Sequence, residues 1–268
     1  MLMSEQNEKH VQEEQNEQVQ YDAKKYRTPD GAPADIVMFT LTKRERKTVT
    51  KTLPLRELRV MLIRRRAWPY AGKWALPGGF SRDDESLYET AMRELKEETG
   101  VVGRHLEYLS VYSKPGRDPR GWIISHAFFA LVEEEVLEKR QAADDAEEVG
   151  LFTIEEALDE LDLGFDHRDI IADAYRRIQE KMLQTTIARK FLPQEFTLSE
   201  LYQVIKAVVP DFEEPNFIRK ITSTRSRKGI LEEVRDEQGV PVSSNQYSQR
   251  PAQLYRFLDN VPRLSIYS

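Results

Sequence analysis

Apolar residues gather in four short stretches of the chain: Asp35–Thr42 (DIVMFTLT), Leu58–Arg66 (LRVMLIRRR), Leu106–Ser113 (LEYLSVYS) and Gly121–Glu133 (GWIISHAFFALVE). Their length and their β-branched and aromatic content predict strands. Between the second and third lies ESLYETAMRELKEETG (Glu85–Gly100), in which Leu87, Ala91 and Leu95 recur at helical spacing and Gly100 supplies a left-handed cap. A short extended piece, GKWALPGGF, leads into it. After the fourth strand a loop rich in acids (QAADDAEEVG) precedes LFTIEEALDEL, a short strand or turn entering a helix. A further helix follows at His167–Leu183, with Ile170, Ile171, Ala174, Ile178 and Leu183 at helical spacing. Strands with one helix among them and a closing helix predict a layered α/β (α+β) domain up to about residue 184.

Beyond that point the pattern changes. Phe196–Val209 (FTLSELYQVIKAVV) predicts a helix capped near Thr197, with Leu198, Leu201, Val204, Ile205 and Val208 on one face. Pro215–Lys228 predicts a second helix with a basic end, and GILEEVR and AQLYRFL predict two strands joined by a polar loop. Helix, helix, strand, loop, strand is the order of a winged helix-turn-helix. The expected division is a polar arm at 1–33, a layered domain at 34–184 and a winged-helix domain at 185–268.

Composition narrows the class. Of the 268 residues, 40% are hydrophobic and 32% charged, the balance of a globular protein. No apolar run approaches the roughly 18 residues of a membrane span, and the first residues lack the apolar core of a signal peptide. There is no cysteine, which excludes disulfides and thiolate metal sites and agrees with a cytoplasmic location. Residues 185–268 carry 12 Lys and Arg against 10 Asp and Glu, so the net charge of −6 sits on the front of the chain.

The helix after Gly78 and Gly79 concentrates acid. Glu94, Glu97 and Glu98 stand at i, i+3 and i+4, so their carboxylates share a face and repel. A divalent cation would offset that repulsion. Oxygen ligands without Cys or a nearby His suit Mg²⁺ or Mn²⁺. Arg93 can neutralise and aim one glutamate, and the two glycines allow a close backbone approach that could bring a carbonyl into the coordination.

These residues carry a resemblance. The Nudix hydrolase signature, G-x5-E-x7-R-E-U-x-E-E-x-G-U with U a bulky apolar residue, is met by Gly79, Glu85, Arg93, Glu94, Leu95, Glu97, Glu98, Gly100 and Val101. The resemblance implies a Nudix sandwich, a mixed sheet flanked by helices, that hydrolyses a nucleoside diphosphate linked to another moiety. It further implies Glu94, Glu97, Glu98 and the Gly78 carbonyl as metal ligands, with Arg93 orienting a glutamate. Nudix enzymes often recruit a further acid from a loop outside the signature. Here Glu148 is the candidate, with Glu147, Asp145 and Asp144 as rivals and a solvated acidic loop as the alternative.

The stretch Ser113–Val132 resembles that following the signature in ADP-ribose pyrophosphatases, where a proline stands downstream; Pro115 and Pro119 bracket its position. Arg117 and Arg120 either pair with phosphate or ribose groups or are solvated arginines of a tight turn. Trp122 reads as core and His126 as a packed strand residue, while Trp68, Tyr70 and Trp74 fall between core and pocket wall. From about residue 190 the pieces FLPQEFTLSELYQVIKAVV, NFIRKI and RPAQLYRF resemble the C-terminal half of NrtR-type Nudix-related regulators of NAD metabolism. In those regulators an ADP-ribose-sensing Nudix domain controls a dimeric winged helix on operator DNA. They often carry a degraded signature, whereas this one is intact.

Two expectations follow. The main one is a Mg²⁺-dependent pyrophosphatase, a homodimer, cleaving ADP-ribose to AMP and ribose 5-phosphate; its rival is a winged-helix transcription factor that binds ADP-ribose, or a related sugar nucleotide or sugar, as effector. Housecleaning of oxidised nucleoside triphosphates would not explain the second domain. For DNA, the basic cluster Arg219, Lys220, Arg225, Arg227 and Lys228 is the candidate phosphate contact, opposed by the flanking Glu213, Glu214, Glu232 and Glu233.

Overall fold

The structure is a computed structural model that describes residues 28–44, 53–100, 105–138, 146–213, 230–247 and 250–258. The first part holds strands β1 (Pro33–Arg44), β2 (Leu55–Arg65), β3 (Trp74–Ala75) and β4 (Gly78–Phe80). Helix α1 (Leu87–Thr99), strands β5 (Leu106–Tyr112) and β6 (Ser125–Leu131), short helix α2 (Glu134–Glu138) and strand β7 (Ala146–Thr153) come next. A π-helical turn at Glu156–Glu160 then leads to helix α3 (His167–Gln184). Among the described residues the strands form one seven-stranded mixed sheet, ordered β3-β2-β1-β6-β5, with β4 on β1 and β7 on β2. Strand β1 is its hub: it pairs antiparallel with β2 and β4 and parallel with β6.

Alternation along these strands sorts side chains between two faces. Ile36, Met38, Met61, Phe128 and Ala130 pack with Ala91 and Leu95 of α1. On the other face Val37, Phe39, Val60, Leu62 and Phe129 pack with Ile170, Ile171 and Ile178 of α3. Helix α1 starts on a reciprocal cap, in which the Ser86 hydroxyl accepts from the Glu89 N–H and the Glu89 carboxylate accepts from the Ser86 N–H. It ends on Gly100, at φ 70°.

After α3 a 3₁₀ turn (Ile187–Phe191) leads to strand β8 (Phe196–Thr197) and helix α4 (Leu198–Val208), which repeats the reciprocal cap with Thr197 and Glu200. Strands β9 (Leu231–Glu233), β10 (Ser243–Ser244) and β11 (Ala252–Phe257) follow. Strand β11 pairs antiparallel with β8, β9 and β10 in a small second sheet, the wing of a winged helix. The apolar core does not stop between the two parts. Leu201, Val204, Ile205 and Val208 of α4 belong to the same buried cluster as the α3 face of the large sheet. The Gln179 side-chain amide of α3 also donates to the Val208 carbonyl at 3.1 Å. The compact unit extends from Gly31 to Ser268.

The expected fold class is what the structure shows, with local differences. The segment read as an acidic loop turns into strand at Ala146, because Val149 and Leu151 extend the sheet alongside β2. Glu148 therefore stands on a strand. The helix read over Pro215–Lys228 lies outside the described residues. No helix among the described residues is long and apolar enough to cross a membrane.

The shared core has a measurable consequence. Ile178 is fully buried on α3, and Ile178→Ala should destabilise by about 2–5 kcal/mol. A denaturation midpoint read from the wing strands should fall together with one read from the large sheet. A wing midpoint that stays put would contradict a continuous core.

Candidate functional site

The turn ahead of α1 is shaped by two glycines, of which Gly78 faces backbone and Gly79 the end of a side chain. A Cβ on Gly78, at φ 149°, would sit 2.1 Å from the Ala34 carbonyl oxygen, so β4 can lie against β1 only with glycine there. A Cβ on Gly79 would sit 2.1 Å from a Glu94 carboxylate oxygen. Gly79 is therefore the floor on which Glu94 rests.

Arg93 organises the acids around it. Its guanidinium donates to Glu85 at 2.7 and 3.0 Å, to Glu94 at 2.5 Å, to Glu97 at 3.3 Å and to the Phe80 carbonyl at 3.2 Å. Glu85 also accepts from the Arg82 N–H and the Thr90 hydroxyl. The hydrogen bonds from Arg93 hold the Glu85 pKa down at about 2, and those with Glu85 raise that of Arg93. The three remaining carboxylates differ in setting: Glu94 is nearly covered, Glu97 is exposed and Glu98 is buried.

A hard divalent cation suits this donor chemistry, since oxygen is all that Glu94, Glu97, Glu98 and the Gly78 carbonyl offer. Among the described residues, however, no group of three or more acidic or imidazole side chains converges as a ready metal site. In this arrangement Arg93 supplies the compensating charge for Glu94 and Glu97.

Beside the turn lies a cavity of about 240 Å³, bounded by β1, β4, the end of β2, the 117–120 loop and the start of α3. Its floor is a buried charge cluster. Arg117 donates to Asp166 at 2.6–3.1 Å and to Asp35 at 3.5 Å, while Asp35 accepts from the Ser125 hydroxyl at 2.5 Å. His167 accepts the Leu76 N–H on Nδ1 at 2.8 Å, which leaves Nε2 facing Asp35 at 3.7 Å. Burial alone would raise the Asp35 pKa; His167, Ser125 and Arg117 together bring it below the ordinary value. Asp118 behaves likewise, with burial opposed by the side chain and backbone N–H of Arg120.

The mouth of the cavity is aromatic and basic. The Arg120 guanidinium lies 4.8 Å from the Phe80 ring centroid and 5.5 Å from that of Phe165, and Arg65 covers Phe165 at 5.2 Å. The residues expected from the sequence divide accordingly. Gly78, Arg117 and Arg120 line the cavity; Arg117 is buried, 7% exposed, whereas Arg120 is an exposed turn residue paired with Asp118. Pro115 is in an exposed turn and does not line the cavity. Glu148 is exposed opposite Arg64, 3.6 Å away, and is likewise absent from the lining. Asp144 and Asp145 lie outside the described residues, as do Arg219, Lys220, Arg225, Arg227 and Lys228. Trp122, read as core, is 38% exposed, and Trp68 is more exposed still; Trp74 packs on Phe152. His126 is a packed β6 residue, as expected.

Asp35, Asp118, Phe165, Asp166 and His167 were not expected from the sequence. A partial signal existed: Asp35 opens an otherwise apolar strand, and GFDH stands immediately ahead of a helix, where a polar residue at the N-cap position is ordinary and hides a second role.

A mixed sheet carrying the signature helix beside a charged cavity, followed by a winged helix, defines a Nudix domain joined to a nucleic-acid-type module. The description NUDIX domain matches residues 44–174, and NrtR DNA-binding winged helix domain matches residues 188–257. The chain is 34% identical over 220 residues to the ADPR responsive transcriptional repressor NtrR of Acinetobacter baylyi, covering 79% of this chain and 82% of that relative. It is 41% identical over 118 residues to an ADP-ribose pyrophosphatase of Methanocaldococcus jannaschii, covering 44% of this chain and 66% of that one. The fold resembles Shewanella oneidensis NrtR complexed with a 27mer DNA, at TM-score 0.63 and 26% identity, over 87% of this chain and 98% of that one. The chain belongs to the Nudix family, in the group that carries an NrtR-type winged-helix domain.

The depressed carboxylates predict how this region responds to acid. Glu85, Asp35 and Asp118 all titrate lower in the folded chain than unfolded. Their stabilisation is complete above the unfolded values and lost as pH falls through the folded ones, from about 4.5 toward about 2 for Glu85. Arg93→Gln should flatten that acid limb, read from thermal midpoints across this range. An unchanged slope would mean that Arg93 does not hold Glu85 in this way.

Proposed function

We propose that this chain is a ligand-responsive DNA-binding regulator, in which the Nudix cavity takes ADP-ribose or a closely related nucleoside diphosphate and the winged helix contacts operator DNA as part of a homodimer. The observation that carries the reading is the joining of the two parts by one apolar core, with α3 starting at the cavity and packing its later turns on α4. The similarity to the Acinetobacter repressor along most of both chains supports it, as does that to the Shewanella protein. The division into residues 1–33, 34–184 and 185–268 belongs to the same proposal. On the DNA side, Arg219, Lys220, Arg225, Arg227 and Lys228 are proposed to meet phosphates. On the ligand side, Arg120 and Arg117 supply the positive charge.

The intact signature favours a second reading, hydrolysis of the same ligand class. Glu94, Glu97, Glu98 and the Gly78 carbonyl would then hold Mg²⁺ or Mn²⁺. When bound, the metal supplies Lewis-acid polarisation of a diphosphate and a more acidic water. Arg93 would keep Glu94 aimed, Gly79 would give it room, and Glu148 is a candidate further acid.

The test of the first reading is fluorescence anisotropy of the full chain on DNA from upstream of its own gene. Binding should weaken steeply with salt, and saturating ADP-ribose should shift the midpoint by about tenfold or more. DNA binding indifferent to nucleoside diphosphates would contradict it. For the second reading, AMP release from ADP-ribose with Mg²⁺ should fall about 10³-fold in Glu98→Gln while DNA binding persists. A variant that keeps most of its rate would remove hydrolysis by this site.

A further inference from the structure

Phe165 has φ 55°, and among the described residues Tyr70, at 61°, is the one other non-glycine residue with positive φ. A bulky aromatic residue in the left-handed region is an outlier that persists only where its surroundings impose it. These two are in contact. Their rings meet edge to face with centroids 4.7 Å apart, and Gly164 lies so close to Tyr70 that a Cβ there would stand 3.1 Å from the Tyr70 Cβ. The arrangement turns the Phe165 ring to the cavity wall. Core packing does not account for it, since Phe165 and Phe80 belong to neither apolar cluster on the faces of the sheet.

The Arg120 guanidinium is within stacking range of both the Phe80 and Phe165 rings, and His167 and Arg65 also lie against Phe165, at 4.9 and 5.2 Å. A guanidinium is a flat, delocalised group that stacks on aromatic faces much as a nucleobase does. We infer that Phe80 and Phe165 form the slot that receives the base of a nucleoside diphosphate, and that Arg120 is the plug the base displaces. The displaced guanidinium, tethered to buried Asp118 through the Arg120 backbone N–H as well, becomes available to the diphosphate. This rests on the proposed reading of the cavity as a nucleoside diphosphate site, and adds which residues hold the base.

The test is calorimetric titration of the full chain with ADP-ribose and with ADP, comparing the natural protein, Phe165→Gly, Phe165→Leu and Phe165→Trp. Glycine keeps the left-handed backbone while removing the ring, and the thermal midpoint of each variant separates lost binding from lost folding. Leucine keeps bulk without a π face, and tryptophan keeps the π face. Both ligands should bind about tenfold or more weaker to the glycine and leucine variants, and tryptophan should restore binding. ADP-ribose binding unchanged in Phe165→Gly, or as weak in Phe165→Trp as in glycine, would overturn the slot while leaving the cavity reading intact. A natural protein that binds neither ligand would overturn both.

Discussion

The buried guanidinium of Arg117 is the point on which the site depends. It joins three segments far apart in the chain: its own loop, the start of β1 through Asp35 and the start of α3 through Asp166. A buried charge of this kind is tolerable only with its partners in place, and removing one partner of such a pair costs about 3–5 kcal/mol. The cluster therefore acts as a rigid floor. It sets where α3 begins, where His167 faces and how far β4 stands from the arginines of the loop. Glycine at 78 and 79 completes the geometry by removing the side chains that would fill the space.

The second consequence concerns direction. Helix α3 has one end in the charge cluster, and its later turns pack in the core shared with α4. A ligand that competes for Arg117 acts on a residue that fixes the helix start. Differential contacts of this sort are what any ligand needs to shift a protein between states. A hydrolase alone has no use for that connection. A regulator does, and the intact signature helix allows both chemistries to occupy one site.

Much of this was legible before any coordinates. The signature has fixed spacing, and its roles follow from helix geometry: Glu94, Glu97 and Glu98 on one side, Ala91 and Leu95 buried on the other, Gly100 as cap. Strands β1, β2, β5 and β6 and helices α3 and α4 were readable from periodicity. What was not readable was tertiary pairing. Asp35, Asp118 and Asp166 look like ordinary acids at a strand start, in a turn and at a helix cap. Only the fold brings them around two arginines that the sequence presents as turn residues. Phe165 was hidden for a similar reason, because it meets Tyr70, 95 positions away in the chain. The acidic stretch before β7 misled in the other direction: composition suggested loop, and pairing with β2 made Glu148 part of a strand.

The proposed regulation stands on a nucleoside diphosphate binding in the cavity built on Arg117. Amide hydrogen exchange of the full chain with and without ADP-ribose tests it most directly. Slowed exchange concentrated at Gly78–Phe80, Arg117–Arg120 and Phe165–His167 is expected. Protection confined to other segments, or none at saturating ligand, would contradict it.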